Sequence, residues 1–312
     1  MARVLISGAS GLIGSALVPA LESHGCRVTR LVRQLPTRSA EVQWDPMRAI
    51  PPELVSGFDA VIHLSGENVA GRWTEAKKKR IRDSRVMSTL NLSNALVSAV
   101  QPPKTFVCAS AIGYYGSRGD EILTEDSPGG SGFLSEVCRE WEAATEPAGL
   151  AGIRTVNLRT GLVLSREGGA LKQMLLPFRL GLGGRIGNGQ QWWSWIHIED
   201  LVTAVHHILQ NAFEDSTTVV ERRESPPDLR LSGAVNLVSP TPVTNAEFTR
   251  TLAAVLNRPA IFPVPAFAAR MAFGELADQG LLASARVQPK KLIEGGFEFK
   301  FPQLGAALEA LL

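Results

Sequence analysis

Short apolar runs alternate with longer stretches of helical periodicity through the first half of the chain. Arg3 to Ser7 is too short and too apolar for a surface helix, and it breaks into glycines before an amphipathic stretch from Leu12 to His24. Arg27 to Val32 is a second strand-like run, which completes a βαβ unit of about 30 residues. Pro19 lies inside the intervening helix, where it either kinks the helix or marks an irregular turn. Glu41 to Trp44 and Asp59 to Ser65 predict a third and a fourth strand, and Thr105 to Ser110 and Thr155 to Leu158 a fifth and a sixth. Thr74 to Val100 reads as a long helix between the fourth and fifth strands. Phe133 to Thr145 follows the fifth, with Trp141 as its packing anchor.

The alternation becomes irregular near residue 165. This places a boundary between a first domain, 1–165, and a mainly substrate-binding lobe, 166–312, from which some segments return to the first domain. Gly181 to Gly189 carries too many glycines for a helix and predicts a loop. Trp192, Trp193 and Trp195 are expected to pack the second lobe ahead of a helix that starts at His197-Ile198-Glu199-Asp200. Residues 214–232 are charged and aperiodic, and read as an exposed insertion. Thr244-Asn245-Ala246-Glu247 matches a capping box opening a helix to Asn257, and Pro302 to Leu312 closes the chain as a helix.

Composition narrows the class. The 312 residues are 45% hydrophobic and 20% charged with a net charge of +2, which argues against disorder and against a general polyanion-binding surface. Cys26, Cys108 and Cys138 fit no zinc or CxxC spacing, so buried thiols in a reducing compartment and no metal site are expected. No apolar run reaches the ~18 residues of a membrane span, and the first apolar residues belong to a strand rather than to a signal peptide. The expectation is a soluble, cytoplasmic protein.

The chemistry concentrates at strand ends. In Gly8-Ala9-Ser10-Gly11-Leu12-Ile13-Gly14, Gly8 would permit the tight turn, Gly11 the approach of a pyrophosphate, and Gly14 close helix–strand packing. Where a carboxylate would accept a ribose 2′-hydroxyl, this chain has Arg33, whose charge favours a 2′-phosphate and therefore NADP. Asp45 after the third strand, and Leu64, Ser65 and Gly66 after the fourth, are expected to border the same cofactor. Arg72, Lys77, Lys78, Lys79, Arg80, Arg82 and Arg85 make the front of the long helix basic. That run reads as a solvated face, unless Arg80 or Arg85 turns inward to a phosphate. No aromatic platform or recognition motif accompanies it, which argues against nucleic acid. Ser110, Tyr114 and Tyr115 sit just past the fifth strand, in the place for catalysis in this architecture, with Glu67 expected nearby in the cleft.

Taken together, Gly8 to Gly14, His63-Leu64-Ser65-Gly66-Glu67-Asn68, Ser110 to Gly116, Trp195 to Leu201 and Phe299-Lys300-Phe301-Pro302 resemble the atypical, epimerase-like branch of the extended short-chain dehydrogenase/reductase family. The resemblance spans essentially the whole chain. It implies an α/β fold: a Rossmann-type doubly wound parallel sheet with a smaller α/β carboxyl-terminal substrate lobe, and NADP as cofactor. It also implies that Val32 and Arg33 lie near the 2′-phosphate, with Leu64, Ser65, Arg85 and Val163 along the cofactor. The family's YxxxK pair is missing. Arg118 and Gly119 stand four residues after Tyr114 and Tyr115, and Phe133 with Val137 or Leu134 with Cys138 occupy the pair's place on the helix. Ser110 corresponds to the family serine only to within one residue, Ala111 being the competitor. Two functions follow as expectations. One is an NADP(H)-dependent oxidoreductase or epimerase acting on a hydroxyl- or carbonyl-bearing small molecule, with a nucleotide sugar as one candidate. There Ser110 orients the substrate and Tyr114 or Tyr115 donates the proton. The other is a non-catalytic NADP(H)-binding structural or redox-sensing module. A monomer or homodimer is expected, with no membrane partner.

Overall fold

The computed structural model describes residues 1–213 and 231–312, so residues 214–230 of the expected insertion lie outside the described residues. Seven parallel strands form the central sheet: β1 (Arg3–Ser7), β2 (Arg27–Val32), β3 (Glu41–Gln43), β4 (Ala60–His63), β5 (Thr105–Ala111), β6 (Arg154–Thr160) and β7 (Gly233–Leu237). Their order is β7-β6-β5-β4-β1-β2-β3. The order reverses direction beside β1, and such a switch point leaves a crevice beyond the carboxyl ends of the strands.

Helices cover both faces, which is why the strands read as continuous apolar runs. On β1, Val4 and Ile6 turn to one face, against Leu17 and Leu21 of α1 (Leu12–Ser23) and Leu201, Val205 and Ile208 of α5 (Ile198–Phe213). Leu5 turns to the other face, where α2 (Glu75–Val97) and α3 (Phe133–Ala143) supply Leu92, Leu96 and Trp141. Pro19 stays within a continuous α1 on its exposed side. Trp44 does not extend β3 but is buried in the second core layer.

The second lobe has its own core. Leu171, Leu175 and Phe178 of α4 (Gly169–Arg179) meet Trp193, Trp195, Phe248 and Leu252 of α6 (Asn245–Val255). Leu304 and Leu308 of the closing helix complete it, and α7 (Ala266–Phe273) lies outside it. α5 and β7, although they follow residue 165, belong to the central sheet layer.

Candidate functional site

At the carboxyl end of β1 the chain turns on Gly8, at φ +73°, and the Gly11 N–H closes the turn on the Gly8 carbonyl at 3.0 Å. The three glycines answer different demands. A Cβ at Gly8 would meet the Leu64 carbonyl carbon at 2.7 Å, and one at Gly14 the Gly8 oxygen at 2.3 Å. Both are therefore required by the fold itself. A Cβ at Gly11 would meet the Gly8 oxygen at 3.3 Å, a tight contact but far less severe than those at Gly8 and Gly14.

α1 begins at Gly11 with no side-chain cap and no acidic residue in its first turn. α2 and α6 are built differently: Thr74 accepts from Lys77 N–H, Thr244 accepts from Glu247 N–H, and each helix has a glutamate in its first turn. An uncapped start with no nearby carboxylate leaves the N–H groups and the positive end of the helix dipole to an anion. Arg33 follows β2, exposed and without an ion pair among the described residues. Val32, Leu64 and Ser65 are half-buried around the same crest. Asp45 is exposed, accepting from Met47 N–H at 2.9 Å and pairing with Arg48. Val163, in a short strand paired with Trp195–His197, packs against the core layer under α1.

A histidine holds β1 and β4 in register beneath this crest. Ser88 Oγ donates to the Ser84 carbonyl at 2.6 Å, so it accepts from His63 Nε2, 3.1 Å away, and Nδ1 accepts from Ser7 Oγ at 2.6 Å. Burial pushes the imidazole down to about 3, so the ring is neutral.

The basic front of α2 is neither free nor uniformly solvated. Lys77 and Arg80 pair with Glu67, Lys78 with Glu275 of the second lobe, Lys79 with Asp83 and Arg82 with Glu140. Arg85 alone turns under the crest. Its Nη1 donates to the Glu67 and Ile81 carbonyls at 3.0 and 3.1 Å, and its guanidinium lies 5.0 Å from the Trp141 ring centroid. Desolvation lowers its pKa. A Cβ at Gly66 would sit 3.3 Å from that guanidinium, which accounts for the glycine there.

Beyond β5 the arrangement is closed rather than open. Ser110 Oγ donates to Glu142 Oε1 at 2.7 Å, and Glu142 takes Arg159 Nε and Nη2 at 2.8 Å each. Arg159 Nη1 donates to the Tyr115 hydroxyl at 3.0 Å, and that hydroxyl donates to Asn236 Oδ1 at 2.7 Å. Asn236 N–H in turn donates to Glu125 Oε1. Tyr115 is fully buried, and burial pushes its phenol up to about 12. Desolvation also raises Glu125, whose Oε2 is buried without a partner among the described residues. Tyr114 is half-buried under the Arg159 guanidinium, 3.4 Å from the ring centroid, and lines a cavity of about 400 Å³ with Arg139, Glu142 and Asn157.

Ser110, Tyr114 and Tyr115 are therefore gathered around Arg159 and Glu142, and Glu67 does not join them. Glu67 touches Lys77, Arg80 and Ser84, none of which contacts Ser110, Tyr114 or Tyr115. The Lys77 ammonium holds the Glu67 carboxyl below its ordinary range, favouring the carboxylate over an acid. No residue of Gly8 to Gly14, Leu64, Ser65 or Val163 lines the Tyr114 cavity. Along α3, Phe133 stacks edge-on against Trp73, Leu134 lies beside Gly113, and the buried Cys138 thiol is pushed up to about 12. Glu142, Arg159 and Asn236 went unnoticed in the sequence. The one available signal was charge inside apolar segments, at Arg159 in a strand and Glu142 beside Trp141.

The profile of the NAD dependent epimerase/dehydratase family matches residues 4–220, and a domain of unknown function (DUF1731) matches residues 264–311. The chain is 43% identical over 309 residues to the epimerase family protein Mb2239 of Mycobacterium bovis, covering 98% of this chain and 96% of that protein. The human epimerase family protein SDR39U1 (isoform 2), crystallised with NADPH, superimposes with a TM-score of 0.87 at 37% identity, covering 99% of this chain and 98% of that one. A nucleoside-diphosphate sugar epimerase from Corynebacterium glutamicum gives 0.79 at 36% identity, covering all of this chain and 58% of that one. The chain belongs to the NAD dependent epimerase/dehydratase family.

Proposed function

We propose, from membership of that family, that the protein binds NADP(H) across the crest of β4, β1 and β2. It acts there as an oxidoreductase or epimerase on a small molecule carrying a hydroxyl or carbonyl group. The observation that carries the reading is the glycine turn running into the uncapped start of α1, together with Arg33, an exposed cation without a carboxylate partner among the described residues. The human relative's crystallisation with NADPH supports it.

In this reading the uncapped start of α1 faces the pyrophosphate and Arg33 holds the 2′-phosphate. Leu64, Ser65, Gly66 and Val163 line the cofactor's length. Bound nicotinamide would supply hydride exchange. Arg85 is fixed by two carbonyls beneath the crest, and the cation set against both tyrosine rings is Arg159. Tyr115 is sealed, Glu67 is held as a carboxylate, and the Ser110 proton is committed to Glu142, so Ser110 can orient a substrate only by accepting. Tyr114 is the phenol left with exposure, and the proton otherwise exchanges with water.

A second reading, a cofactor-retaining module that senses redox state, is favoured by the missing YxxxK pair and the burial of Tyr115. Incubation with NADPH and a panel of carbonyl compounds and nucleotide sugars separates the two. Cofactor oxidation or an epimer supports the enzyme. Neither product, together with a cofactor-dependent change in recovered partners, supports the module.

A further inference from the structure

One face of the second lobe is apolar, cationic and used by nothing described above. Leu180 and Leu182 after α4, Ile261 and Phe262 ahead of α7, and Phe267 and Met271 on α7 are all more than half exposed, Ile261 and Met271 at 71%. They form one surface. Arg258 Nε donates to the Arg179 carbonyl at 3.1 Å, Gly181 approaches Pro259, Val264 bridges Ile186, and α7 follows directly after Pro265. Phe267 and Met271 are four residues apart and share one side of that helix.

Cations outnumber carboxylates on this face. Residues 168–198 contain Lys172, Arg179 and Arg185 and no Asp or Glu, and residues 248–274 contain Arg250, Arg258 and Arg270 and again none. Of the six, only Arg270 meets a carboxylate among the described residues, Asp278 at 2.9 Å. Within the face lies a cavity of about 170 Å³, lined by Arg185, Thr249 and Arg250 with Ala246, Ile261 and Pro263. Thr249 is 95% buried, and its hydroxyl has no hydrogen-bond partner among the described residues.

We propose that this face docks on an anionic phospholipid bilayer, with the exposed apolar side chains entering the headgroup–acyl boundary and a lipid phosphate seated between Arg185, Arg250 and Thr249. A two-fold dimer through the same surface would set these cations against their own copies, so charge complementarity selects the lipid. No spanning helix is needed for such a contact, and none among the described residues is long and apolar enough to be one.

Sedimentation with vesicles of phosphatidylcholine alone, and of phosphatidylcholine mixed equally with phosphatidylglycerol, tests the proposal. Binding is expected to the mixed vesicles only, to weaken with salt, and to fall roughly thirtyfold in a double Arg185→Gln, Arg250→Gln variant. Ile261→Asp should also reduce it, with melting temperature and NADPH affinity unchanged as the check on folding. Three results would each overturn the proposal. They are no binding to either vesicle, binding that ignores all three substitutions, and a concentration-dependent dimer abolished by Ile261→Asp without lipid binding. Protection of Arg250 by inorganic phosphate without vesicle binding would assign the cavity to a free anion instead.

Discussion

The crest of β1 and β2 and the crest of β5 and β6 belong to one sheet, yet they are finished in opposite ways. Around β1 the strand ends leave things open: an uncapped helix and an arginine without a carboxylate among the described residues. Around β5 and β6 a chain of hydrogen bonds ties polar groups to one another, from Ser110 through Glu142, Arg159 and Tyr115 to Asn236. Unpaired groups gathered at a strand crest point to something that arrives later. A completed network points to architecture.

The sharpest break of that comparison lies in the network. Glu142→Ala leaves the Arg159 guanidinium buried and unpaired, and should destabilise the fold by about 3–5 kcal/mol in denaturant unfolding. A variant as stable as the parent would show the network to be slack enough for a catalytic role. The glycines come next. Gly14→Ala should cost up to about 3 kcal/mol, because its Cβ has nowhere to go. Gly11→Ala should lower the melting temperature much less than Gly14→Ala and weaken NADPH binding in titration. Equal thermal losses in the two would make both glycines purely structural.

His63 sharpens the comparison through pH. Its folded imidazole is held at about 3 against 6.5 in the open chain, so as pH falls the unfolded chain takes up the proton first. Its contribution is full above about 6.5 and declines from there toward about 3. Between pH 6.5 and 5 this amounts to about 2 kcal/mol. His63→Leu should flatten that part of the stability profile relative to the parent, and an unchanged slope would mean that the ring is protonated in the fold.

The open half of the site was legible in the sequence and the closed half was not. Glycine spacing, a strand ending in Arg33 and a helix starting at Leu12 are local patterns, and local patterns survive in a string of letters. The six-strand reading missed β7, which joins β6 from more than seventy residues further on, across the segment outside the described residues. Glu142 and Arg159 lie seventeen residues apart and Tyr115 and Asn236 one hundred and twenty-one apart, and no periodicity encodes such meetings. Tyr115 shows the cost: its position after β5 suggested a proton donor, while its burial and its two partners are tertiary facts. Arg85 was one of two candidates for turning inward, and only the packing of α2 against Trp141 distinguishes it from Arg80.

The central claim is that the open crest is an NADP(H) site with Arg33 as its selector. Parallel titration of the parent and Arg33→Asp with NADPH and NADH tests it most directly. The parent should prefer NADPH, and the substitution should weaken NADPH by at least ~1.4 kcal/mol, about tenfold, with little change for NADH. Equal weakening of both cofactors, or no preference in the parent, would contradict the account.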